Sequence, residues 1–266
     1  MARHRRAEPQ GESKELARLQ GVLFGLGGAR RLPAQRELDP LLARVSQEAL
    51  FWFCERQPSG PLYLLPTREF VRRLAKLLRA LAGPRGTVLE VGAGDGFLSR
   101  CLRTADPGLR LRATDSGAWE KAAARLTTRA DRQHAGSISG LALGAEVERL
   151  EAVAAIERYR PAVVLAAWLP PGRLFEQLAR APCRFLLDLG AGGGVTGQGE
   201  WGWRFAHDFA SAELEGRARC RLDAKGARHS ALTIYFGARH PDFAEERPRP
   251  GEWLHQFKSA RRRARA

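Results

Sequence analysis

Chemistry-bearing residues of this 266-residue chain gather first in one stretch, Glu90-Val91-Gly92-Ala93-Gly94-Asp95-Gly96. The pattern acid-x-G-x-G-x-G follows an apolar run, Thr87–Val91, and precedes Phe97, Leu98, Cys101 and Leu102 at helical spacing. Glycines in a strand-to-helix turn let the backbone bend sharply. They also let a nucleoside-bearing ligand approach the main chain without meeting a Cβ. A dinucleotide fingerprint, G-x-G-x-x-G, would place its last glycine at position 97, where Phe97 stands. Nineteen residues after Gly96, Asp115 closes the next strand-like run, Leu111-Arg112-Ala113-Thr114. A carboxylate at a strand end is a natural bidentate acceptor for two hydroxyls.

The same template recurs at Asp188-Leu189-Gly190-Ala191-Gly192-Gly193-Gly194. Beyond it the chain stays glycine-rich, and no acid-ended strand follows about twenty residues on. Only 72 residues remain, too few for a second such unit. The first copy is therefore read as the binding turn and the second, Gly190–Gly194, as a mobile loop. Asp188 ends a strand and is a candidate base, with a turn-forming Asp as the alternative. His207-Asp208, after Trp201-Gly202-Trp203, offers a general base at His207, with an ordinary surface histidine as the alternative. Asp95 suits the positive start of a helix. Gly136-Ser137-Ile138-Ser139-Gly140 lacks a central nucleophile, and neither a Gly-Lys-Ser/Thr phosphate loop nor a paired metal-ligand histidine motif occurs.

These residues need a scaffold, and the pattern supplies one. Thr67 after Pro66 caps a predicted helix carrying Phe70, Val71, Leu74, Leu77, Leu78 and Leu81, stopped by Gly83-Pro84. Then strands and helices alternate. Val88–Val91, Leu109–Thr114, Val147–Leu150, Pro161–Leu169 and Cys183–Leu189 read as strands. Phe97–Leu102, Ala118–Leu126, a run through Ile156, and Arg173–Arg180 read as helices. Arg219–Leu222 and Ala231–Gly237 read as two strands joined at Lys225-Gly226. The expected fold is α/β: a doubly wound, mainly parallel sheet with helices on both faces and a C-terminal antiparallel hairpin. Ahead of it, residues 1–38 read as partly disordered or loosely docked, and Leu41–Phe53 as one helix.

With its acid-x-G-x-G-x-G turn and the acid closing the next strand, the chain resembles the class I S-adenosylmethionine (SAM)-dependent methyltransferases over about residues 61–240. The resemblance implies a Rossmann-like methyltransferase fold with SAM as cofactor. It implies that Glu90 orders the glycine loop near the methionine moiety, that Gly92, Ala93, Gly94 and Gly96 line the cofactor, and that Asp115 accepts from the ribose hydroxyls. Glu151 would meet the adenine amino group, or Asp131 would if that strand lies earlier. Trp119 would flank the adenine or pack in the core. Trp168, Leu169 and Pro170 would face the substrate. N-methylating members often carry Asn/Asp-Pro-Pro-aromatic here, whereas Leu169 and Gly172 hold the outer positions in this chain, so the polar acceptor is missing. The implied activity is methyl transfer from SAM to an unidentified acceptor. The alternative is a non-catalytic protein of this fold that binds a partner or nucleic acid. A nucleotide-dependent oxidoreductase is opposed by Phe97.

The domain reading is then 1–60 as a polar and helical extension, 61–240 as the SAM-binding domain, and 241–266 as a basic tail. Composition bounds the partners. No apolar run reaches eighteen residues, so no membrane span is expected, and Met1-Ala2-Arg3-His4-Arg5-Arg6 lacks the apolar core of a secretory signal. Four widely spaced cysteines favour neither a disulfide framework nor a zinc site, which suits the cytoplasm. The net charge is +15, from 44 basic and 29 acidic residues. Five Lys stand against 39 Arg, a bias that fits a GC-rich genome, and eight basic residues lie in the two terminal runs. Nucleic acid is thus a possible partner through the basic tails, but not the favoured one.

Overall fold

A computed structural model describes residues 10–118, 142–170, 172–190, 196, 205–209, 216–218 and 229–245. Its centre is a sheet built where short apolar runs are buried on both faces. The strands are β1 (Leu64–Leu65), β2 (Val88–Val91), β3 (Leu111–Asp115), β4 (Glu148–Arg149), β5 (Val163–Ala167), β6 (Phe185–Gly190), β7 (His207–Phe209), β8 (Gly216–Ala218) and β9 (His229–Phe236). Their order is β1-β8-β9-β6-β5-β2-β3-β4, with β7 also on β9. From β4 through β6 every pairing is parallel, whereas β9 runs antiparallel to β6, β7 and β8. Successive strands β2, β3 and β4 step one way, and β5 and β6 the other. The chain therefore reverses between β2 and β5, and the carboxyl ends of those two strands flank a crevice where such sheets bind ligands.

Alternation along the strands divides the core. Val88, Leu111, Val163, Leu165, Phe185 and Leu187 pack under α4 (Arg68–Ala82) and α5 (Phe97–Ala105). Leu89, Val91, Val164, Ala166 and Leu186 pack under two other helices, α6 (Ala152–Tyr159) and α7 (Leu174–Ala179). Helices thus cover both faces, as expected of parallel strands. The capping of α4 follows the sequence reading: Thr67 accepts from the Phe70 amide at 3.2 Å, and Gly83 ends the helix at φ 72°.

The N-terminal segment differs from the reading of loose or disordered chain. Residues Gln10–Leu23 form a helix, α1, and Leu19 and Leu23 are buried with Phe24 in a third cluster. Leu16, Leu19 and Leu23 lie three and four residues apart, so one stripe of an otherwise polar helix carries its packing. The expected single helix over Leu41–Phe53 is two, α2 (Gln35–Leu42) and α3 (Gln47–Glu55). Ser46 separates them because its hydroxyl caps the second helix, accepting from the Ala49 amide at 3.2 Å. Between α1 and α2, Gly27 and Gly28 adopt φ 78° in a tight 3₁₀ turn, closed by a bridge between Phe24 and Arg30. This segment docks on α4: the Arg68 amide donates to the Pro33 carbonyl at 2.9 Å, and the Gln35 amide to Glu69 at 2.8 Å.

At the C-terminal end β8 pairs antiparallel with β9, while the expected strand Arg219–Leu222 and its join at Lys225-Gly226 lie outside the described residues. Residues 219–228 lie outside the described residues, as do 119–141, which include most of the expected helix Ala118–Leu126, Trp119 and Asp131. No described helix is long and apolar enough to cross a membrane.

Candidate functional site

The glycine loop sits at the carboxyl end of β2, beside the point of reversal. Gly92, Gly94 and Gly96 all have positive φ, at 66°, 56° and 69°. Two of them are also closely covered. A Cβ on Gly92 would lie 3.0 Å from Leu169 Cδ2, and one on Gly96 would lie 2.7 Å from Val147 Cγ2. The repeated glycine is therefore required by backbone angle and by space together. Residues 142–147 close over the loop, with the Gly144 amide 3.4 Å from the Gly94 carbonyl and the Glu146 carboxylate held by Arg100 at 2.8 Å.

Asp115 ties this loop to the next strand. Its Oδ2 accepts from the Gly94 amide at 2.9 Å, and its Oδ1 from the Gly117 amide at 2.7 Å. Each carboxylate oxygen has two acceptor positions, so one on each oxygen remains for a ligand hydroxyl. Other loop amides are spent inside the protein. Ala93 donates to the Thr114 carbonyl at 3.1 Å, Gly96 to Ala93 at 2.9 Å, and Phe97 to Asp95 Oδ1 at 3.0 Å. The amino end of α5, where a pyrophosphate would normally sit, is therefore filled by a carboxylate.

Glu90 adds a further acid beneath the loop. It is 2% exposed and accepts a hydrogen bond from the Ser99 hydroxyl. Burial pushes its carboxyl up to about 7, with the Ser99 bond opposing and the charges of Asp95 and Asp115 adding to the rise. Cys101, close by on α5, is raised to about 11, again mainly by burial.

Arg30 is the residue that sequence reasoning missed. It reaches from the N-terminal segment to Asp95 Oδ2 at 3.1 Å, and its guanidinium lies 3.8 Å over the Phe97 ring. Burial pulls its pKa down, against the charge and hydrogen bond of Asp95. The Gly27-Gly28 turn that aims it lies in the stretch whose sequence reads as partly disordered or loosely docked. Ser99 was equally hidden, being one turn into a helix read only for its apolar face.

The other expected site residues scatter. Glu151 is exposed, two residues beyond the edge strand β4, and directly precedes α6; the neighbouring Leu150 amide donates to the Asp115 carbonyl at 3.0 Å. Trp168 directly follows β5 at φ 56°, its amide donating to the Leu189 carbonyl at 2.8 Å and its ring 6.0 Å from Tyr63. Leu169 is buried behind Gly92, and Pro170 is exposed. Asp188 lies fully buried on β6, its backbone in register with Ala166 and Thr233, on the face that carries Leu186. Together with burial, its charge pushes up the Tyr235 phenol. His207 is on β7 beside Tyr235, with Nδ1 2.8 Å from the Phe205 carbonyl. Four strand spacings separate β7 from β2, roughly 19 Å, so His207 is not brought to the glycine loop. Of the second glycine template, Gly190 ends β6 against Thr196, and residues 191–194 lie outside the described residues.

No family model and no curated protein matches this sequence. Among solved structures, the chain is similar to a complex of MtNAS with S-adenosylmethionine, at 10% identity and TM-score 0.36, over 85% of this chain and 73% of that one. It is similar to the methyltransferase domain of bacterial CtHen1 at 9% identity and TM-score 0.38, over 64% and 98% of the two chains. A SAM-dependent methyltransferase from Agrobacterium tumefaciens is 14% identical at TM-score 0.32, matched over 64% of this chain and 60% of its own length. Likenesses at these scores carry no assignment, and the chemistry must be read from the glycine loop, Asp115 and their surroundings.

Proposed function

We propose that this chain binds SAM at the carboxyl ends of β2 and β3 and transfers its methyl group to an acceptor. One observation carries the reading: a loop of three positive-φ glycines is tied through the Gly94 amide to a strand-end carboxylate, Asp115, that keeps acceptor capacity on both oxygens. The donor set favours this ligand over a dinucleotide. Loop amides that a pyrophosphate would need are already bonded, and Asp95 caps the helix end. Three acids, Glu90, Asp95 and Asp115, lie at the loop, with Asp95 paired to Arg30 and Glu90 raised towards neutrality by burial. A nucleoside bearing a cationic sulfonium suits such surroundings; an anionic phosphate ester does not.

In this reading Gly92, Ala93, Gly94 and Gly96 give the cofactor close access to the backbone. Asp115 takes the ribose hydroxyls, Glu151 stands where an adenine edge is met, and Glu90 supports the loop from below. When bound, SAM supplies a methyl group already made electrophilic by the sulfonium. The chain then has to align an acceptor with that methyl group and keep competing water away, and positioning alone provides much of a transfer rate. Trp168 and Pro170, just after β5, are the side chains offered to the acceptor. Neither Asp188 nor His207 is assigned as base: one is fully buried and the other lies strands away.

Soaking crystals with SAM tests the placement. Density against Gly92–Gly96 and Asp115 is expected, and density at Gly190–Gly194 would overturn it. A second reading, binding without catalysis, is favoured by Leu169, which is buried where N-methylating members hold a polar residue. Label transfer from methyl-labelled SAM to any acceptor in a substrate screen would remove it. Cys54, Cys101 and Cys183 are buried, in keeping with a reducing, cytoplasmic location. The basic tails lie outside the described residues, and nucleic-acid binding through them is not part of this proposal.

A further inference from the structure

At the opposite end of the sheet, where β2 and β3 begin, a cavity of about 680 Å³ opens between α5 and the end of α6. Arg103, Arg110 and Arg112 line it, with Thr87, Pro107 and Tyr159. Among the described residues, none of the three arginines is in an ion pair, although Arg103 lies within reach of the charges of Glu90 and Glu146. Each is held by a neutral group instead. Arg103 donates to the Leu111 carbonyl at 3.5 Å, Arg110 to the Arg85 carbonyl at 3.0 Å, and Arg112 lies 5.7 Å over the Tyr159 ring. Such contacts orient a guanidinium without neutralising it. The acids adjoining the cavity are already engaged: Asp106 with Arg79, and Glu148 with Arg158 and Tyr159.

We propose that this groove docks the sugar–phosphate backbone of single-stranded nucleic acid. Three guanidiniums line one groove, with Arg110 and Arg112 in no ion pair among the described residues, so the groove offers positive charge to a run of phosphates, and counterions are released as each is neutralised. Arg110 and Arg112 are solvent-exposed, so the groove is open along its side, as a passing chain requires. The net charge of +15 adds long-range attraction. The groove is separated from the glycine loop by the length of β3, about 13 Å over four residue steps, so docking here is independent of the SAM reading.

The test is fluorescence anisotropy of the full chain with a labelled mixed-sequence RNA of about 20 nucleotides, between about 50 and 200 mM salt. The variant Arg103→Ala/Arg110→Ala/Arg112→Ala should lose at least about tenfold in affinity and lower the log–log salt slope by about 2. The control Arg36→Ala/Arg72→Ala/Lys76→Ala removes equal charge from an exposed face elsewhere and should lose far less. Arg110→Glu alone, at an exposed position, should weaken binding several-fold should the triple variant fold poorly. Equal losses in both triple variants, no RNA binding by the wild type, or an unaffected Arg110→Glu would overturn the proposal. Displacement of the RNA by micromolar pyrophosphate would also overturn it, in favour of a small phosphorylated ligand.

Discussion

Arg30 and Asp95 form an ion pair at 3.1 Å that joins the N-terminal segment to the glycine loop, with the Arg30 guanidinium stacked on Phe97 in the next turn. The pair is only partly exposed, at 19% and 28%, so its charges are incompletely screened. Arg30→Met keeps the apolar stem and removes the charge. We expect a loss of about 1–2 kcal/mol in stability, visible as a lower thermal midpoint. An unchanged midpoint would show that the contact contributes nothing.

Gly96 is the loop glycine with least room. At φ 69° and with Val147 2.7 Å from the site of a Cβ, Gly96→Ala meets both backbone strain and a clash. A cost of about 2–4 kcal/mol in denaturant unfolding is expected, together with loss of SAM binding. Gly27→Ala provides the contrast, because it has the same left-handed conformation, φ 78° and ψ 8°, but nothing lies within 4 Å. It should show the strain alone. Equal costs at the two sites would mean that the contact with Val147 is easily relieved.

Glu90 makes stability depend on pH in an unusual direction for a carboxylate. Its folded value of about 7 lies above the ordinary 4.5, so the folded protein binds this proton more tightly than the unfolded chain does. Stability from this group is therefore fullest below about pH 4.5, falls as pH rises towards 7, and is level above. Glu90→Gln keeps an acceptor for Ser99 and removes the titration. Relative to wild type it should gain up to about 3 kcal/mol between about pH 5 and 8, read from denaturant midpoints. Parallel pH profiles for the two proteins would contradict this.

Leu19 tests whether α1 belongs to the folded unit. It is fully buried among Leu23, Leu38 and Leu50. Leu19→Ala should cost about 2–5 kcal/mol. A change below about 0.5 kcal/mol would mean that the helix docks only weakly.

The parallel strands and the glycine loop were legible because short apolar runs and glycine spacing are local signals. Val88–Val91 and the Thr67 cap could be read from adjacent residues. Asp115 could be placed because strand ends carry ligand acids at a regular distance from the first glycine. Arg30 could not. Its partner Asp95 lies 65 residues away, and one arginine among 39 carries no mark of burial. The α1 helix was obscured because its apolar stripe is narrow and charged residues surround it. His207 looked catalytic from its type and neighbours, yet strand order decides distance, and β9, β6 and β5 stand between it and β2.

Titration calorimetry of SAM against wild type and Asp115→Asn tests the central claim most directly. Asn retains one acceptor oxygen and loses the charge, so affinity should fall by about 10- to 100-fold while the protein stays folded. A folded wild type that takes up no SAM, or an Asp115→Asn variant that binds it as tightly as wild type, would contradict the account.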